Sequence, residues 1–394
     1  MTFLSEKASV PPRNSIEAQL VAIWEKVLRV WPIGIDDDFF EIGGDSLLAV
    51  RIFLEIEKRL GKKLPLAALF KMPTIERLAQ KVQEEISLQD WTPVVAIQLQ
   101  GSRLPFFAIH GRDGNVLFYR KLSQCLGTDQ PFYALQSQGL DGKPMARLSV
   151  ETIADYYLQE IRNIRPQGPY MVGGYSFGGV VAYEIAQKLC SAGEEVALLV
   201  LFDTLNPTTA PRLQSLAERI QKKINNPSPL TLSRLIQFLA RRMQGRMGAN
   251  LSRWNKMIHN LLLDAIERGE IPLSAVEWSE MTQKLLLERI EKRGQKASEK
   301  LLELHVRMVH EHAFILYKPL PYRGKVTLFR VYNQPTDYQV DQDLGWSSVA
   351  QGGMEIHVVP GDHESIFSNE NAPIVAEKLE RCIQSVFPKD SNLT

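Results

Sequence analysis

Gly174, Tyr175, Ser176, Phe177 and Gly178 spell Gly-x-Ser-x-Gly between an apolar run, YMVGG, and a helical one, GGVVAYEIAQKL. A strand that turns sharply into a helix there lifts the serine hydroxyl into the open. The turn needs a glycine on either side, where no side chain fits. A free serine hydroxyl is a weak nucleophile, so it requires a base, and the base requires an acid to orient it. Of the seven histidines, His363 in VVPGDHESIF follows the last strand-like run, where a loop leaves the strand ends. Two stretches offer the acid. Asp203 closes VALLVLFD, the run directly after the serine's helix, while Asp337, Asp341 and Asp343 follow KVTLFRV. Position alone does not choose between them. The loop after FFAIH, which begins with His110, supplies an oxyanion donor from the backbone of Arg112, paired with the backbone N–H of Phe177. His305, His310 and His312 fall on a helical stretch; the last two, two residues apart, face different ways and are read as structural. With no His-Glu-x-x-His in the chain, no metal site is expected.

A second serine sits on a similar device. GGDSLLAV, Gly43 to Val50, again places Gly-Gly-x-Ser at the head of an apolar run, so Ser46 either caps a helix or carries something. The elements around the two serines differ. Residues 1–90 read as a small helical unit: Ile16, Leu20, Trp24, Val27 and Leu28 share one stripe, with Asn14 and Glu17 resembling a capping box. A helix from Ser46 is expected to bury Leu47, Val50 and Leu54, and another, capped by Thr74, to bury Ile75, Leu78, Val82 and Ile86. SLQDWTP interrupts the helical pattern as a linker. From Pro93 onward FFAIH, FYAL, YMVGG, VALLVLFD, KVTLFRV and EIHVVPG alternate with helical sequence, which predicts a mostly parallel sheet covered on both faces. Between Leu205 and Tyr317 the strands vanish, and a helical insertion over the strand ends is expected.

Composition sets the outer bounds. At 394 residues, 44% hydrophobic and 23% charged, the chain is long enough for two or three domains with sizeable cores. Its longest aliphatic run, VALLVLF, is too short to cross a bilayer, and the start lacks the pattern of an export signal. Three widely spaced cysteines, Cys125, Cys190 and Cys382, suit a reducing, cytoplasmic setting rather than a disulfide framework. A net charge of +1 gives no reason to expect a nucleic-acid partner, but charge is distributed unevenly. Asp36, Asp37, Asp38, Glu41 and Asp45 crowd ahead of Ser46, whereas Arg212 to Lys256 holds ten basic residues against the one acid Glu218. Opposite charges of this kind either form two solvated faces or steer one part of the chain toward the other.

DDFFEIGGDSLLAV resembles the attachment motif of peptidyl and acyl carrier domains, with Phe-Phe-Glu, Gly-Gly and Ser-Leu in register. Family members usually carry a histidine before the modified serine, where this chain has Asp45, a residue that also occurs. From Pro93 the chain resembles the thioesterase domain that ends nonribosomal peptide and polyketide assembly lines, through GGYSFGG, the LFD strand end, DLGW and VPGDHESIF. The resemblance implies an α-helical bundle carrier domain (1–90) followed by an α/β-hydrolase domain (93–388) with a helical lid insertion (205–317). It implies 4′-phosphopantetheine on Ser46, a catalytic set of Ser176, Asp203 and His363, and oxyanion donors at Phe177 and Arg112. Asp203 thereby moves ahead of Asp337. The implied partners are a phosphopantetheinyl transferase, upstream adenylation and condensation modules, and the acyl or peptidyl chain to be released, by hydrolysis or cyclisation. The rival readings are a lipase-like esterase with an accessory helical domain and a non-catalytic carrier scaffold.

Overall fold

Asn14 opens the first helix, α1 (Ser15–Leu28), accepting hydrogen bonds from the N–H groups of Ile16 and Glu17 at 3.1 and 2.9 Å. A computed structural model describes residues 2–3, 9–44, 46–62, 64, 68–83, 92–140, 145, 149–209, 263, 286, 288–289, 299–334 and 341–386 of the chain. Glu17 departs from a capping box. It accepts from the Arg13 N–H at 2.7 Å and from the Arg13 guanidinium at 2.8 Å, and that hydrogen bond lowers its pKa. Helices α2 (Ser46–Leu60), α3 (Ala68–Lys71) and α4 (Ile75–Gln83) complete the first unit. Leu20, Ile23 and Trp24 of α1, Ala49, Ile52, Phe53 and Ile56 of α2, and Ile75, Leu78, Ala79 and Val82 of α4 close around Phe39. The side chains of Leu47, Val50 and Leu54, and all of Ile86, lie outside the described residues. Two short strands, β1 (Thr2–Phe3) and β2 (Val30–Trp31), pair in parallel, an addition that helical periodicity does not announce.

The second unit is built on seven strands: β3 (Val94–Gln98), β4 (Phe106–Ile109), β5 (Phe132–Leu135), β6 (Tyr170–Tyr175), β7 (Val196–Phe202), β8 (Val326–Asn333) and β9 (Met354–Asp362). Their order is β3-β5-β4-β6-β7-β8-β9. All pairings are parallel except β3 with β5. Central strands of a covered parallel sheet are apolar on both faces, which explains VALLVLF. Strand β3 is the one element of the sheet that the alternation of strands and helices leaves out, because it is an antiparallel edge with no crossover helix.

Helices α5 (Tyr119–Leu126) and α9 (Ala372–Val386) cover one face; α6 (Val150–Ile164), α7 (Phe177–Ser191) and α8 (Glu299–Leu316) cover the other. Of the expected insertion, α8 is described, and Val306, Val309 and Ala313 bury it against the sheet's core. The basic stretch from Arg212 to Lys256 lies outside the described residues. Among the described residues no helix is long and apolar enough to cross a membrane. Phe39 is fully buried, with Trp24 edge-on at 5.3 Å. Phe39→Ala should destabilise the helical unit by about 3–5 kcal/mol. Amide exchange should quicken in α1 and α4 while β6 to β8 keep their protection.

Candidate active site

The turn from β6 into α7 holds Ser176 at φ 55° and ψ −118°, a backbone conformation costly for any residue with a side chain. It is fixed from both sides: the Ser176 N–H donates to Phe202 O at 2.9 Å, and the Gly179 N–H donates to Ser176 O at 3.1 Å. The flanking glycines are steric requirements. A Cβ on Gly174 would overlap the Gly178 carbonyl, and a Cβ on Gly178 would overlap the carbonyl of His110.

Asp203 leaves the end of β7 at φ 43°, its N–H donating to Phe329 O of β8 at 2.7 Å. Its side chain is buried, and both carboxylate oxygens are used. Oδ1 accepts from the Val331 N–H at 3.1 Å and from Gln334 Nε2 at 2.8 Å; Oδ2 lies 2.6 Å from His363 Nδ1. On the other side of the imidazole, Nε2 lies 3.0 Å from Ser176 Oγ. The structure thus brings Ser176, Asp203 and His363 into one chain of hydrogen bonds. Asp343 is engaged elsewhere, accepting from the Gly345 and Ser347 N–H groups at 2.9 and 3.1 Å, and Asp337 lies outside the described residues.

Two neighbours escaped the sequence reading. Gln334 has no motif, and only the register of β8 against β7 carries it to Asp203. Tyr175, inside the serine motif, stacks on His363 at 4.8 Å between ring centroids, and its hydroxyl donates to the His363 carbonyl. Burial, reinforced by Glu364 and Asp203, holds the Tyr175 phenol well above its ordinary pKa, so it stays a donor.

Among the described residues the N–H groups of Arg112 and Phe177 are given to no protein acceptor. His110 is not a second base. It is fully buried, its Nδ1 lies 2.6 Å from Gly111 O, its Nε2 lies 2.7 Å from Tyr157 Oη, and burial lowers its pKa to about 4. His305 and His310 are buried, and the side chain of His312 lies outside the described residues.

Ser46 is the first residue of α2, and the first turn of that helix contains no acid. Free N–H groups and the helix dipole favour an anion at such an end. Gly43 has φ 98°, and a Cβ on Gly44 would collide with Phe39, so both positions require glycine. These features fit a phosphodiester on the serine. The helical unit also touches the sheet domain. Arg120 of α5 lies over the ring of Phe40, its Cζ 3.7 Å from the centroid, with Nη2 3.6 Å from Asp38 Oδ1. Burial lowers the Arg120 pKa, opposed by Asp38 and Glu41. Leu117 is buried in the core of the helical unit. Between them, Phe118 packs on Tyr175 at 5.3 Å and on Phe367 at 5.5 Å. The contact therefore begins one residue from the wall behind His363.

The mixed sheet fits an α/β-hydrolase and the unit ahead of it a helical carrier. Residues 105–266 match the thioesterase domain family, and residues 18–82 match the family of the phosphopantetheine attachment site. The chain is a phosphopantetheine carrier domain followed by a thioesterase domain. It is 42% identical over 196 residues to malpinin synthetase of Mortierella alpina, covering 49% of this chain and 2% of that protein. It is 37% identical over 210 residues to chondramide synthase of Chondromyces crocatus, covering 52% of this chain and 5% of that one. The chain therefore spans a small fraction of the length of these relatives. Among solved structures, AB3403, a four-domain nonribosomal peptide synthetase in its holo form bound to AMP and glycine, aligns with 98% of this chain and 27% of its own. The TM-score is 0.54 and the identity 27%.

Arg120→Glu sets a carboxylate against Asp38 and should loosen the carrier from the thioesterase domain. Amide exchange should rise at Phe40 and around Leu117. Adding Asp38→Lys should restore protection; unchanged exchange in the single variant would mean that the pair holds nothing.

Proposed function

We propose that this chain releases an acyl or peptidyl group, held as a thioester on its own carrier, at the end of a nonribosomal peptide or polyketide pathway. The reading rests chiefly on the placing of His363 Nδ1 2.6 Å from Asp203 and Nε2 3.0 Å from Ser176, in a chain that also carries an attachment domain. 4′-Phosphopantetheine on Ser46 would supply the thiol that bears the acyl group. Residues 1–90 form the carrier, 93–388 the thioesterase domain and 205–317 a lid that shields the site from water. A phosphopantetheinyl transferase modifies Ser46, and upstream adenylation and condensation modules deliver the chain, in the cytoplasm.

In this reaction His363 Nε2 takes the Ser176 proton as Oγ attacks the thioester carbonyl, and the N–H groups of Phe177 and Arg112 hold the oxyanion. Asp203 fixes the tautomer with Nδ1–H toward itself. Collapse breaks the carbon–sulfur bond, and His363 returns the proton to the departing thiol. Water or a nucleophile within the acyl chain, deprotonated by His363, then attacks the ester on Ser176; the carbon–Oγ bond breaks and His363 returns the proton to Ser176 Oγ. Hydrolysis or cyclisation follows according to which one reaches the carbonyl.

Ser176→Ala should leave Ser46 loadable and abolish release, whereas Ser46→Ala should abolish loading and spare hydrolysis of a soluble N-acetylcysteamine thioester. Mass spectrometry of the carrier and turnover of the soluble thioester separate the two. Equal loss of soluble turnover in both variants would refute the division of labour. Asp203→Asn should cost about 10⁴-fold in kcat, because the amide no longer fixes the tautomer of His363. Gln334→Ala removes one of two donors to the Asp203 oxygen and should cost less, about tenfold to hundredfold. Steady-state kinetics on the soluble thioester checks the ranking.

A further inference from the structure

We infer that His310, on α8, is a positioning residue that sets both halves of the oxyanion hole at once. The inference deepens the reading of Arg112 and Phe177 as oxyanion donors and rests on it. His310 Nδ1 lies 2.7 Å from the carbonyl oxygen of Arg112. A carbonyl only accepts, so Nδ1 carries the proton and donates. The same imidazole stacks on the ring of Phe177, with centroids 4.4 Å apart and planes 18° from parallel. One side chain therefore holds the loop residue through its carbonyl and the elbow residue through its ring. The two N–H groups belong to segments 65 positions apart in sequence, and His310 belongs to a third.

The rest of the imidazole is enclosed. Its centroid also lies 4.7 Å from that of His110, which stacks on Phe177 in turn, and Nε2 lies 3.1 Å from Ser137 Oγ. The ring is fully buried, and burial, with His110 beside it, holds it well below the ordinary histidine pKa. The Ser137 hydroxyl also donates to Gln138 O at 2.7 Å, and the Arg112 carbonyl is the acceptor facing Nδ1. Ser137 also braces the loop, its N–H donating to Gly114 O at 2.9 Å, while Gly114 donates to Gly111 O at 3.0 Å. Two further contacts join α8 to the loop: Arg307 with Asp113 at 3.1 Å and Glu311 with Arg112 at 3.5 Å. Both pairs are partly exposed and contribute weakly. The buried contact that fixes where the Arg112 peptide points is the bond from His310.

The fold has a reason to place this residue on α8. Gly114 adopts φ 80°, and a Cβ there would stand 2.9 Å from Val306 Cγ1, so helix and loop are in close contact at the level of the backbone. Helix α8 ends the stretch inserted between β7 and β8. A shift of that helix would move His310, and with it the Arg112 peptide and the Phe177 ring together. The inserted stretch is thereby tied to the geometry that receives the developing negative charge.

The test uses the full chain with two substitutions. His310→Phe keeps a ring beside His110 and Phe177 and removes the donor; His310→Asn keeps a donor near Nδ1 and removes the ring. Losing an oxyanion donor costs about 10²–10³ in kcat, so a displaced one should cost about 10- to 100-fold in His310→Phe on a soluble N-acetylcysteamine thioester. KM should stay within about twofold of the parent. His310→Asn should recover most of the lost kcat. An alkyl boronic acid, whose tetrahedral adduct on Ser176 places an oxygen in the hole, should bind His310→Phe more weakly by the same factor as kcat falls. Raised KM with unchanged kcat, or full boronate affinity in His310→Phe, would show packing alone and overturn the assignment. Ser176→Ala serves as the control. If it still turns over the thioester, the reading of the whole site falls; if it is dead while His310→Phe is unimpaired, only the positioning role of His310 falls.

Discussion

Ser176 adopts a conformation that an L-residue resists, and much of the thioesterase domain can be understood as what keeps it there. At φ 55° and ψ −118° the backbone is strained by an amount of order 1–3 kcal/mol. A free chain would relax it. Here β6 cannot slide, because it lies between β4 and β7, and α7 cannot tilt, because Val180, Val181 and Ala182 are fully buried. The turn is then closed by hydrogen bonds from Ser176 to β7 and from Gly179 back to Ser176. Removing the Cβ atoms of Gly174 and Gly178 is the concession that lets the two segments approach. A serine held in this way projects its hydroxyl at the end of the sheet, where loops from β7 and β9 arrive.

The loops bring complementary groups because their strands are ordered that way. β7 lies beside β6, β8 beside β7 and β9 beside β8, so the residue after β7 and the loop after β9 open on the same edge. Asp203 is buried with an ordinary hydrogen-bond complement: a backbone N–H and Gln334 on one oxygen, His363 on the other. Each bond limits the freedom of the carboxylate, and the last transmits that limit to the imidazole. Tyr175 clamps the same residue from a second direction, through its ring and through the His363 carbonyl. Residues at the ends of β6, β7 and β8 thus fix the imidazole, the last through Asp203.

How much of this the residues announce depends on whether a feature is local. The elbow was legible because steric need writes glycine at fixed offsets from the serine. The helical unit was legible because Leu20 and Trp24 repeat at the helical period. The acid was legible only as a pair of candidate loops, since choosing between Asp203 and Asp337 requires the register of β7 against β8 or a family resemblance. Gln334 and His310 were not legible as partners, because each acts across elements and its own neighbours carry no pattern. Strand β3 was missed for a related reason: antiparallel pairing at an edge leaves no crossover helix to mark it. Glu17 shows the limit of a motif even when local, for its spacing from Asn14 suits a capping box while Arg13, one residue earlier, takes the carboxylate.

The two Gly-Gly-x-Ser turns look alike in sequence and differ in what their surroundings ask of them. At Ser176 the glycines admit a crowded crossing of backbones, and the serine is braced from every side. At Ser46 one glycine supplies a positive φ and the other lets the turn pack closely on Phe39, ahead of a helix whose first turn holds no acid. At the junction between the domains the Arg120 and Asp38 side chains are only 18% and 20% exposed, so the pair is largely sheltered from solvent. A cation over an aromatic ring adds about 0.5–2 kcal/mol. The contact made by Arg120, Phe40 and Asp38, with Leu117 buried beside it, therefore joins a sheltered charged pair to an apolar anchor. From there the path to the catalytic centre is short: Phe118, next to Leu117, packs on Tyr175, and Tyr175 stacks on His363.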